Sequence, residues 1–300
     1  MSTEPPKRVL VAGATGYLGK FSVQAFKERG YSVRVLTRSK ERLSEPGPFT
    51  APALAQDDMD EVFVGEITKP ETLTGLMDGI DLVFSSVGIS RQRDMLTFDQ
   101  VDYQCNQNLI DLAVAAGVKR FVYVSMQGAE NIMQLAITQA HEKVVDALKA
   151  SGMEYRVVRP CGYFSDMGVL LDMAKKGRAY LVGPGDNKMS PIHGRDLAHV
   201  CVDTAEGDAL EVEAGGPDTM TQREAVEMAF DVVGKPPKVT VIPMWLARGL
   251  VKFIGLLSTQ FGDLADFIVT AGEIDGVGPP RGKTSLRSYF EAMNAGDPNP

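Results

Sequence analysis

Short apolar runs alternate with longer amphipathic segments through the first half of the chain. Residues 9–12 are a continuous apolar run, typical of a strand buried on both faces, and a glycine-rich stretch leads from them into a helical pattern that ends at Gly30. The alternation predicts further strands over 31–37, 61–64, 81–85, 121–125 and 155–158, with helices over 95–116 and 132–150. Strands separated by helices indicate parallel βαβ units, so we predict an α/β fold with a doubly wound parallel sheet.

Three later stretches depart from this regular pattern. Residues 39–60 contain three prolines and a glycine, and we expect a loop insertion there that is longer than an ordinary connection. Beyond Pro160 the alternation loosens, which predicts a smaller mixed C-terminal region packed against the carboxyl edge of the sheet. Residues 244–269 are apolar at broadly helical spacing; core packing is the simplest expectation, and a substrate lid, a subunit interface and a membrane surface are the alternatives.

Composition narrows the class of protein. Of the 300 residues, 44% are hydrophobic and 23% charged, as in an ordinary globular protein. The net charge of −8, without a basic cluster, argues against a nucleic-acid partner. Cys105, Cys161 and Cys201 lie far apart, so we expect free thiols in a reducing compartment and no metal site. No signal-peptide pattern and no apolar run of 18 residues occur, so we expect a cytoplasmic protein without an integral membrane segment.

The segment after the first predicted strand has the spacing of a phosphate-binding loop. It reads Gly13-Ala-Thr-Gly16-Tyr-Leu-Gly19 and opens a helix. Gly13 permits the tight turn, Gly16 lets the backbone approach a pyrophosphate, and Gly19 lets helix and strand pack closely. We therefore predict a dinucleotide-binding Rossmann domain in which Thr15, Tyr17 and Leu18 also border the cofactor.

The end of the second predicted strand indicates which dinucleotide is bound. NAD-binding chains usually carry an acidic residue there, which holds the ribose 2′-hydroxyl. This chain has Thr37 followed by Arg38, and a guanidinium at that point can hold a 2′-phosphate. The sequence therefore predicts NADP(H) as the cofactor.

These motifs resemble the extended and atypical short-chain dehydrogenases/reductases. The similarity lies in the glycine loop, in residues 106–125, in Tyr155-Arg-Val-Val-Arg-Pro160, in Ser190-Pro-Ile-His-Gly-Arg-Asp196 and in residues 215–237. Among the groups most similar are the NmrA-like proteins, the isoflavone-reductase-like enzymes and the divinyl chlorophyllide reductases. The resemblance implies an NADP-binding Rossmann domain over 1–160, to which 190–206 returns, and a substrate-binding region over 161–189 and 207–300.

The resemblance also implies cofactor contacts beyond the glycine loop. Glu66 and Ile67 stand where family members carry an acidic residue that meets the adenine amino group. Ser86, Val87 and Gly88 follow the fourth strand, and Gly88 lets the chain pass close to the second half of the cofactor. Pro160 ends the sixth strand at the same edge.

The family's catalytic Tyr-x-x-x-Lys pair is incomplete in this sequence. Lys143 fits the lysine position, but Gln139 stands where the tyrosine is expected, and an amide has no usable proton at neutral pH. The serine position falls at Ser125 or at Gln127, and Tyr163 is a candidate replacement acid. By resemblance to the isoflavone-reductase-like branch, Lys143 would anchor the ribose and act as the acid–base group. His141 lies on another face of the same predicted helix, and we expect a surface or core histidine there.

Three functions remain open at this point. The first is an NADP(H)-dependent reductase that passes hydride to a small, fairly apolar carbonyl or conjugated C=C substrate. The second is an NmrA-like redox sensor that binds the dinucleotide without catalysis, and the third is an isomerase or epimerase. A closed apolar pocket beside the nicotinamide would favour the enzyme, whereas a large exposed apolar patch would favour the sensor. The substrate is a small molecule that the sequence does not identify, and a homodimer is the oligomeric state to test.

Overall fold

A computed structural model describes residues 6–47, 50–89 and 96–297 of the chain. The described residues form the following strands: β1 (Arg8–Ala12), β2 (Ser32–Thr37), β3 (Glu61–Val64), β4 (Leu82–Ser85), β5 (Arg120–Val124), β6 (Glu154–Pro160), β7 (Ala179–Val182), β8 (Lys188–Met189), β9 (Glu211–Ala214), β10 (Met220–Thr221) and β11 (Val239–Ile242). Seven of them form one parallel sheet in the order β3-β2-β1-β4-β5-β6-β9. The predicted doubly wound Rossmann sheet is therefore confirmed.

The helices lie on both faces of this sheet and beyond its edge. They are α1 (Tyr17–Glu28), α2 (Glu41–Ser44), α3 (Cys105–Ala115), α4 (Ala136–Ala150), α5 (Phe164–Lys176), α6 (Gly194–Glu206), α7 (Gln222–Val233), α8 (Met244–Leu257), α9 (Thr259–Ala271) and α10 (Leu286–Ala295). A π-helical segment, Asp99–Gln104, runs directly into α3. Residue 95, the expected start of this helix, lies outside the described residues.

The core has two layers, as expected for a sheet with helices on both faces. On one face α1 and α6 pack through Phe21, Phe26 and Leu197. On the other face α3 and α4 pack through Leu109 and Val145. A separate apolar cluster holds α5, α7 and α10 together in the C-terminal region, where β7 pairs with β11 and β8 with β10.

Two parts of the C-terminal half belong to the central sheet. Helix α6, within residues 190–206, packs against α1, which is the position expected for that segment. Strand β9 pairs with β6 as the seventh strand, although the expected division placed residues 207–300 in the substrate-binding region. The rest of that division stays a prediction.

Residues 39–60 are held against the body of the protein. Leu43, Ala51 and Leu54 are buried in the core cluster beside α1. The side chain of Lys20 is also buried, and its Nζ donates hydrogen bonds to the carbonyl oxygens of Leu43 at 2.6 Å and Glu45 at 2.7 Å. Lys20 of α1 thus anchors the predicted insertion, residues 39–60, to the body of the protein.

Residues 244–269 form two helices, α8 and α9, that pack side by side. A Cβ atom at Gly262 would lie 2.5 Å from Cα of Gly255, so only glycine permits this approach. Ala247 is the one buried residue of α8, and the expectation of core packing is wrong for that helix. No helix in the described part of the chain is long and apolar enough to cross a membrane.

Candidate functional site

The glycine loop lies where the strand order of the sheet reverses, between β1 and β4. The Gly13 backbone has φ +88°, and a Cβ atom there would meet Ser86 Oγ at 2.8 Å. A Cβ at Gly19 would lie only 2.0 Å from the carbonyl oxygen of Gly13. Both positions require glycine for the reasons predicted from the sequence. Ligands of doubly wound sheets bind at this switch point.

The first turn of α1 has no side-chain cap. Gly16 is the N-cap of α1 and supplies no side-chain hydrogen bond, and no acidic residue occurs in the first turn. The backbone N–H groups of this turn therefore have no side-chain acceptor from the cap, which suits a pyrophosphate. Tyr17 and Leu18 are buried, and the Tyr17 hydroxyl accepts a hydrogen bond from Gly194 N at 3.0 Å. Both side chains are thus directed into the core, and Thr15 is half-buried in the loop; the contacts of these three residues with the cofactor stay a prediction.

The predicted adenosine contacts follow the ends of β2 and β3. Arg38 is exposed directly after β2, and Thr37 closes a turn by accepting a hydrogen bond from Ser39 N at 3.1 Å. Glu66 pairs with Lys69 at 2.8 Å; this bond and the Thr68 hydroxyl lower the pKa of its carboxyl group. The carbonyl oxygen of Ile67 accepts a hydrogen bond from Asn108 of α3 at 2.9 Å.

Buried polar side chains hold the segment after β4 in place. Asn106 is fully buried and donates to the carbonyl oxygen of Val87 at 3.0 Å, while Ser85 Oγ donates to its Oδ1 at 2.5 Å. A Cβ atom at Gly88 would lie 2.7 Å from Asp102 Oδ1 and 4.0 Å from His141 Nε2. Gly88 therefore sits directly on a carboxylate–imidazole pair.

This pair is part of a chain of three side chains, Asp102, His141 and Tyr123. His141 Nε2 lies 3.2 Å from Asp102 Oδ1, and its Nδ1 lies 3.0 Å from the Tyr123 hydroxyl. Asp102 and Tyr123 are almost completely buried, and burial raises the pKa of Tyr123 well above its usual range. Each ring nitrogen of His141 thus has one protein partner, a carboxylate oxygen at Nε2 and a hydroxyl at Nδ1.

Lys143 lies on a different face of α4 from His141. Its Nζ pairs with Asp99 at 2.5 Å and lies over the ring of Tyr103, in a groove between α3 and α4. Gln139, one turn earlier, is exposed and donates to the carbonyl oxygen of Met133 at 3.0 Å. The structure therefore groups His141, not Lys143, with Gly88, and the catalytic role assigned to Lys143 stays a prediction.

Amphipathic spacing alone could have identified the inward-facing side of α4. Ile137, Val144, Val145 and Leu148 are buried, and His141 lies at i+4 from Ile137 and i−4 from Val145. Ile137 and His141, which are one helical turn apart, therefore both face the interior of the protein.

Ser125 is held by an ionic network at the ends of β5 and β6. Its hydroxyl donates to Glu142 Oε1 at 3.0 Å, and Arg159 binds the same carboxylate through two nitrogens at 2.7 and 3.1 Å. Burial raises the pKa of Glu142, but the Arg159 guanidinium and Ser125 outweigh it and hold that pKa below its usual range. Ser125 is therefore bound to protein groups instead of pointing freely into the cleft.

The remaining predicted residues lie farther along the same edge. The backbone N–H of Gln127 donates to Pro160 O at 3.1 Å, and its side chain donates to Val277 O at 3.3 Å. The ring of Tyr163 packs edge-on against Tyr17, with centroids 6.2 Å apart, and burial raises its pKa. Tyr163 thus joins the core beside α1, and its catalytic role stays a prediction.

A further apolar core cluster lies at the beginning of α4, the helix that carries His141. Its members come from four separate segments of the chain, including the loop before α4 and the hairpin helix α9: Ile89, Phe98, Met126, Ile132, Leu135, Ile137, Phe267 and Ile274. The sequence could not predict this cluster because its segments are distant along the chain. Among the described residues, no group of three or more His, Cys, Asp or Glu side chains could hold a metal ion.

The sheet order, the glycine loop at its switch point and the uncapped N-terminus of α1 together define a dinucleotide-binding Rossmann protein. The chain belongs to the NAD(P)H-binding family, which its residues 13–208 match.

Named relatives agree with this assignment. The chain is 26% identical to a chloroplastic divinyl chlorophyllide a 8-vinyl-reductase of Zea mays, over 95% of this chain and 79% of the maize protein. It is also 26% identical to the photosystem II assembly factor Ycf39 of Trieres chinensis, over 82% of this chain and 76% of that protein. The predicted resemblance to the atypical short-chain reductases is confirmed.

A solved structure shares the fold. The NADPH-dependent quinone oxidoreductase QOR2 of Escherichia coli, determined with NADPH, matches with a TM-score of 0.72 at 20% identity, covering 95% of this chain and 99% of that chain.

Proposed function

We propose that this protein is an NADPH-dependent reductase that acts on an apolar substrate with a conjugated C=C bond or a quinone-type carbonyl. The observation that carries the proposal is the position of His141, held by Asp102 and Tyr123 beneath Gly88 and next to the apolar cluster. The reductase names of the maize relative and the E. coli structure support the same reaction class.

His141 takes the place of the missing catalytic tyrosine in this proposal. NADPH, when bound, would supply a hydride, and the anion left on the substrate would need one proton. His141 would deliver this proton as an imidazolium. Because both of its ring nitrogens are hydrogen-bonded to protein groups, one of these bonds, to Asp102 or to Tyr123, must open toward the substrate during the transfer. Asp102 stabilises the imidazolium and fixes the ring orientation.

The apolar cluster accounts for the choice of substrate. Met126 and Phe267, which pack on this cluster and are only partly buried, offer dispersion contacts and no hydrogen bonds, which suits a flat hydrophobic ring system and not a sugar nucleotide. We therefore favour reduction over epimerisation. The residues of the C-terminal region that reach this cluster, Phe267 and Ile274, form the substrate side of the cleft.

The test compares two faces of one helix. NADPH oxidation is followed with a panel of enones and quinones for the wild type, His141→Gln and Lys143→Ala. We expect His141→Gln to lower kcat about a hundredfold or more, the usual contribution of a positioned acid or base, and Lys143→Ala to stay close to wild type. The reverse result would restore the role that the sequence predicted for Lys143 and overturn ours.

The preference for NADP(H) over NAD(H) rests on Arg38. No acidic residue stands at the end of β2, where Thr37 is engaged in its own turn and Arg38 is exposed toward the cleft edge. We expect Arg38→Ala to abolish the preference for NADPH over NADH in calorimetric titration. Lys119→Ala, a change at a cation that pairs with Asp81 at 3.5 Å on another part of the surface, is the control and leaves the preference intact. Equal loss of affinity for both nucleotides would contradict this assignment.

A dinucleotide-binding regulator is the second candidate. It is favoured by the exposed apolar side of α8 and by the relative named as a photosystem II assembly factor. Tight NADPH binding without turnover across the whole panel would select it.

A further inference from the structure

Lys20 is a fully buried lysine that directly follows the last glycine of the cofactor loop. Its Nζ reaches out of α1 and donates hydrogen bonds to the carbonyl oxygens of Leu43 at 2.6 Å and Glu45 at 2.7 Å. The chain then crosses the stem of the same lysine, since a Cβ atom added at Gly47 would lie 2.7 Å from Lys20 Cδ and 3.0 Å from its Cε. Both the ammonium group and the stem therefore contact residues 43–47 of the insertion.

The two carbonyl oxygens lie at the C-terminal end of α2, which is only four residues long. A helix of this length is not stable alone, and the carbonyl groups of its last turn need donors from elsewhere. Lys20 supplies donors to Leu43 and to Glu45, the C-cap, while the Leu43 side chain is buried in the core cluster beside α1. Helix α2 is therefore attached to α1 through its backbone as well as through its apolar side.

Packing alone does not explain a lysine at this position. Burial of an ammonium group costs free energy even when its donors are satisfied, and both of these bonds go to neutral carbonyl groups instead of a carboxylate. A methionine would fill nearly the same space without that cost. What the lysine adds is a pair of directional bonds that fix where α2 lies.

The position of α2 bears on Arg38 because only residues 38–40 join this helix to the end of β2. The connection is tight: Thr37 Oγ1 donates to Ser39 O at 2.7 Å, and Ser39 Oγ donates to Glu41 Oε2 at 2.5 Å. Such a short connection has little freedom, so the direction in which Arg38 leaves the sheet depends on where α2 is held.

We infer that Lys20 is a positioning residue for cofactor selectivity, which holds α2 so that Arg38 is placed to bind the 2′-phosphate of NADPH. The inference rests on the proposed function, in which Arg38 binds that phosphate. Without Lys20 the segment over 38–47 would be ordered only when the cofactor binds, and the entropy lost at that moment would weaken the phosphate contact. NADH lacks the 2′-phosphate, so its affinity would change much less.

The experiment measures selectivity in the full-length protein by calorimetric titration. The ligands are NADPH, NADH, and a pair of probes that differ only in the 2′-phosphate, adenosine 2′,5′-bisphosphate and adenosine 5′-monophosphate. We expect Lys20→Met to lower the affinity ratio of NADPH to NADH about tenfold, and the ratio of the two probes by a similar factor. Hydrogen exchange of the Glu45 amide, which donates to Glu41 O at 3.2 Å, should become faster in the same variant.

Two further variants show whether the position of α2 is the cause. Lys20→Met also removes a positive charge, whereas Gly47→Ala pushes the chain away from the Lys20 stem and leaves every charge in place. Gly47→Ala should therefore lower the ratio as well. Lys235→Met is the matched control, because Lys235 Nζ donates to the carbonyl oxygen of Lys175 in the C-terminal region, and it should keep the wild-type ratio. Thermal unfolding of each variant establishes that it has folded.

The outcomes separate this inference from the proposed function. If Arg38→Ala keeps the preference for NADPH, the assignment of the phosphate to Arg38 and the role of Lys20 are both wrong. If Arg38→Ala abolishes the preference but Lys20→Met and Gly47→Ala keep it, only the role of Lys20 is wrong.

Two other results would overturn the positioning role. Equal losses of NADPH and NADH affinity in Lys20→Met and Gly47→Ala would show that Lys20 only stabilises the fold. A ratio that falls in Lys20→Met and not in Gly47→Ala would assign the effect to the charge of the lysine.

Discussion

The two ends of the cofactor cleft differ in whether residues close together in the sequence or residues from distant segments build them. At the glycine loop, backbone carbonyls and a helix N-terminus create the site, and Gly13, Gly16 and Gly19 fall within seven residues of one another. At the α4 end, the site that we propose consists of side chains from three separate segments, namely Asp102, Tyr123 and His141. A site made by the backbone can be predicted from spacing, whereas one made by side chains depends on which face of a helix turns inward.

The largest effect is expected when a side chain is added at the glycine loop. Gly19→Ala would place a Cβ 2.0 Å from the carbonyl oxygen of Gly13, so α1 must shift away from β1. We expect a loss of about 3 kcal/mol in the free energy of unfolding and no measurable NADPH binding in calorimetry.

Gly249→Ala is the matched control, since nothing lies within 4 Å of the added atom and the residue is inside helix α8. It should leave binding unchanged and raise stability by about 0.5–1 kcal/mol. If Gly19→Ala bound NADPH normally, the backbone of the glycine loop would be able to shift without losing the binding site, and our expectation would be wrong.

A smaller effect is expected from the ionic network beside the side-chain end. Glu142→Gln removes one of the two carboxylate partners of Arg159, whose side chain is only 12% exposed, and should cost about 2 kcal/mol of unfolding free energy; Glu211 remains as the other partner. The pKa of Glu142 is held below its usual range, so its contribution is present above the ordinary glutamate pKa and is lost as pH falls through the lower, folded-state value.

Denaturant unfolding from neutral to acidic pH tests this. The variant should lose less stability than the wild type on acidification, because the Glu142 contribution is already absent. Glu154→Gln, which removes a solvent-exposed partner of Arg120, should change little. Identical dependence of unfolding free energy on acidic pH for the wild type and Glu142→Gln would show that the Glu142–Arg159 ion pair does not stabilise this part of the protein.

The last effect is confined to alkaline pH and concerns Lys20, on the helix that begins at the glycine loop. Burial, and after it the charge of Arg42, lower the pKa of its ammonium group from 10.5 to about 8. The unfolded chain therefore holds more protons than the folded one between these values, and this lysine makes stability rise with pH there. Lys20→Met should remove that rise in thermal unfolding curves recorded from neutral to alkaline pH. An unchanged slope would mean that Lys20 is not the group responsible.

The sheet, the cofactor loop and the strand ends could be predicted because each depends on neighbouring residues. The strand over 121–125 and the glycine loop lie where their patterns place them. The expectation for α4 followed the spacing of Gln139 and Lys143, and it stays a prediction. The burial of Val144, Val145 and Leu148, which turns His141 inward, adds a second candidate on the same helix. The exposure of α8 could not be predicted, because an apolar helix in sequence looks the same whether another element covers it or not.

The position of β9 has a consequence for how the chain is made. The seventh strand arrives only after α5, β7 and α6 have been synthesised, yet it covers the outer edge of β6 through pairs such as Val157 with Glu211 and Val158 with Val212. A nascent chain released at about residue 160 would carry β6 as an uncovered edge strand, a template for pairing with other chains. The cofactor half therefore reaches its protected form only when the ribosome has delivered about two thirds of the sequence, which makes the linked halves a single unit of biosynthesis.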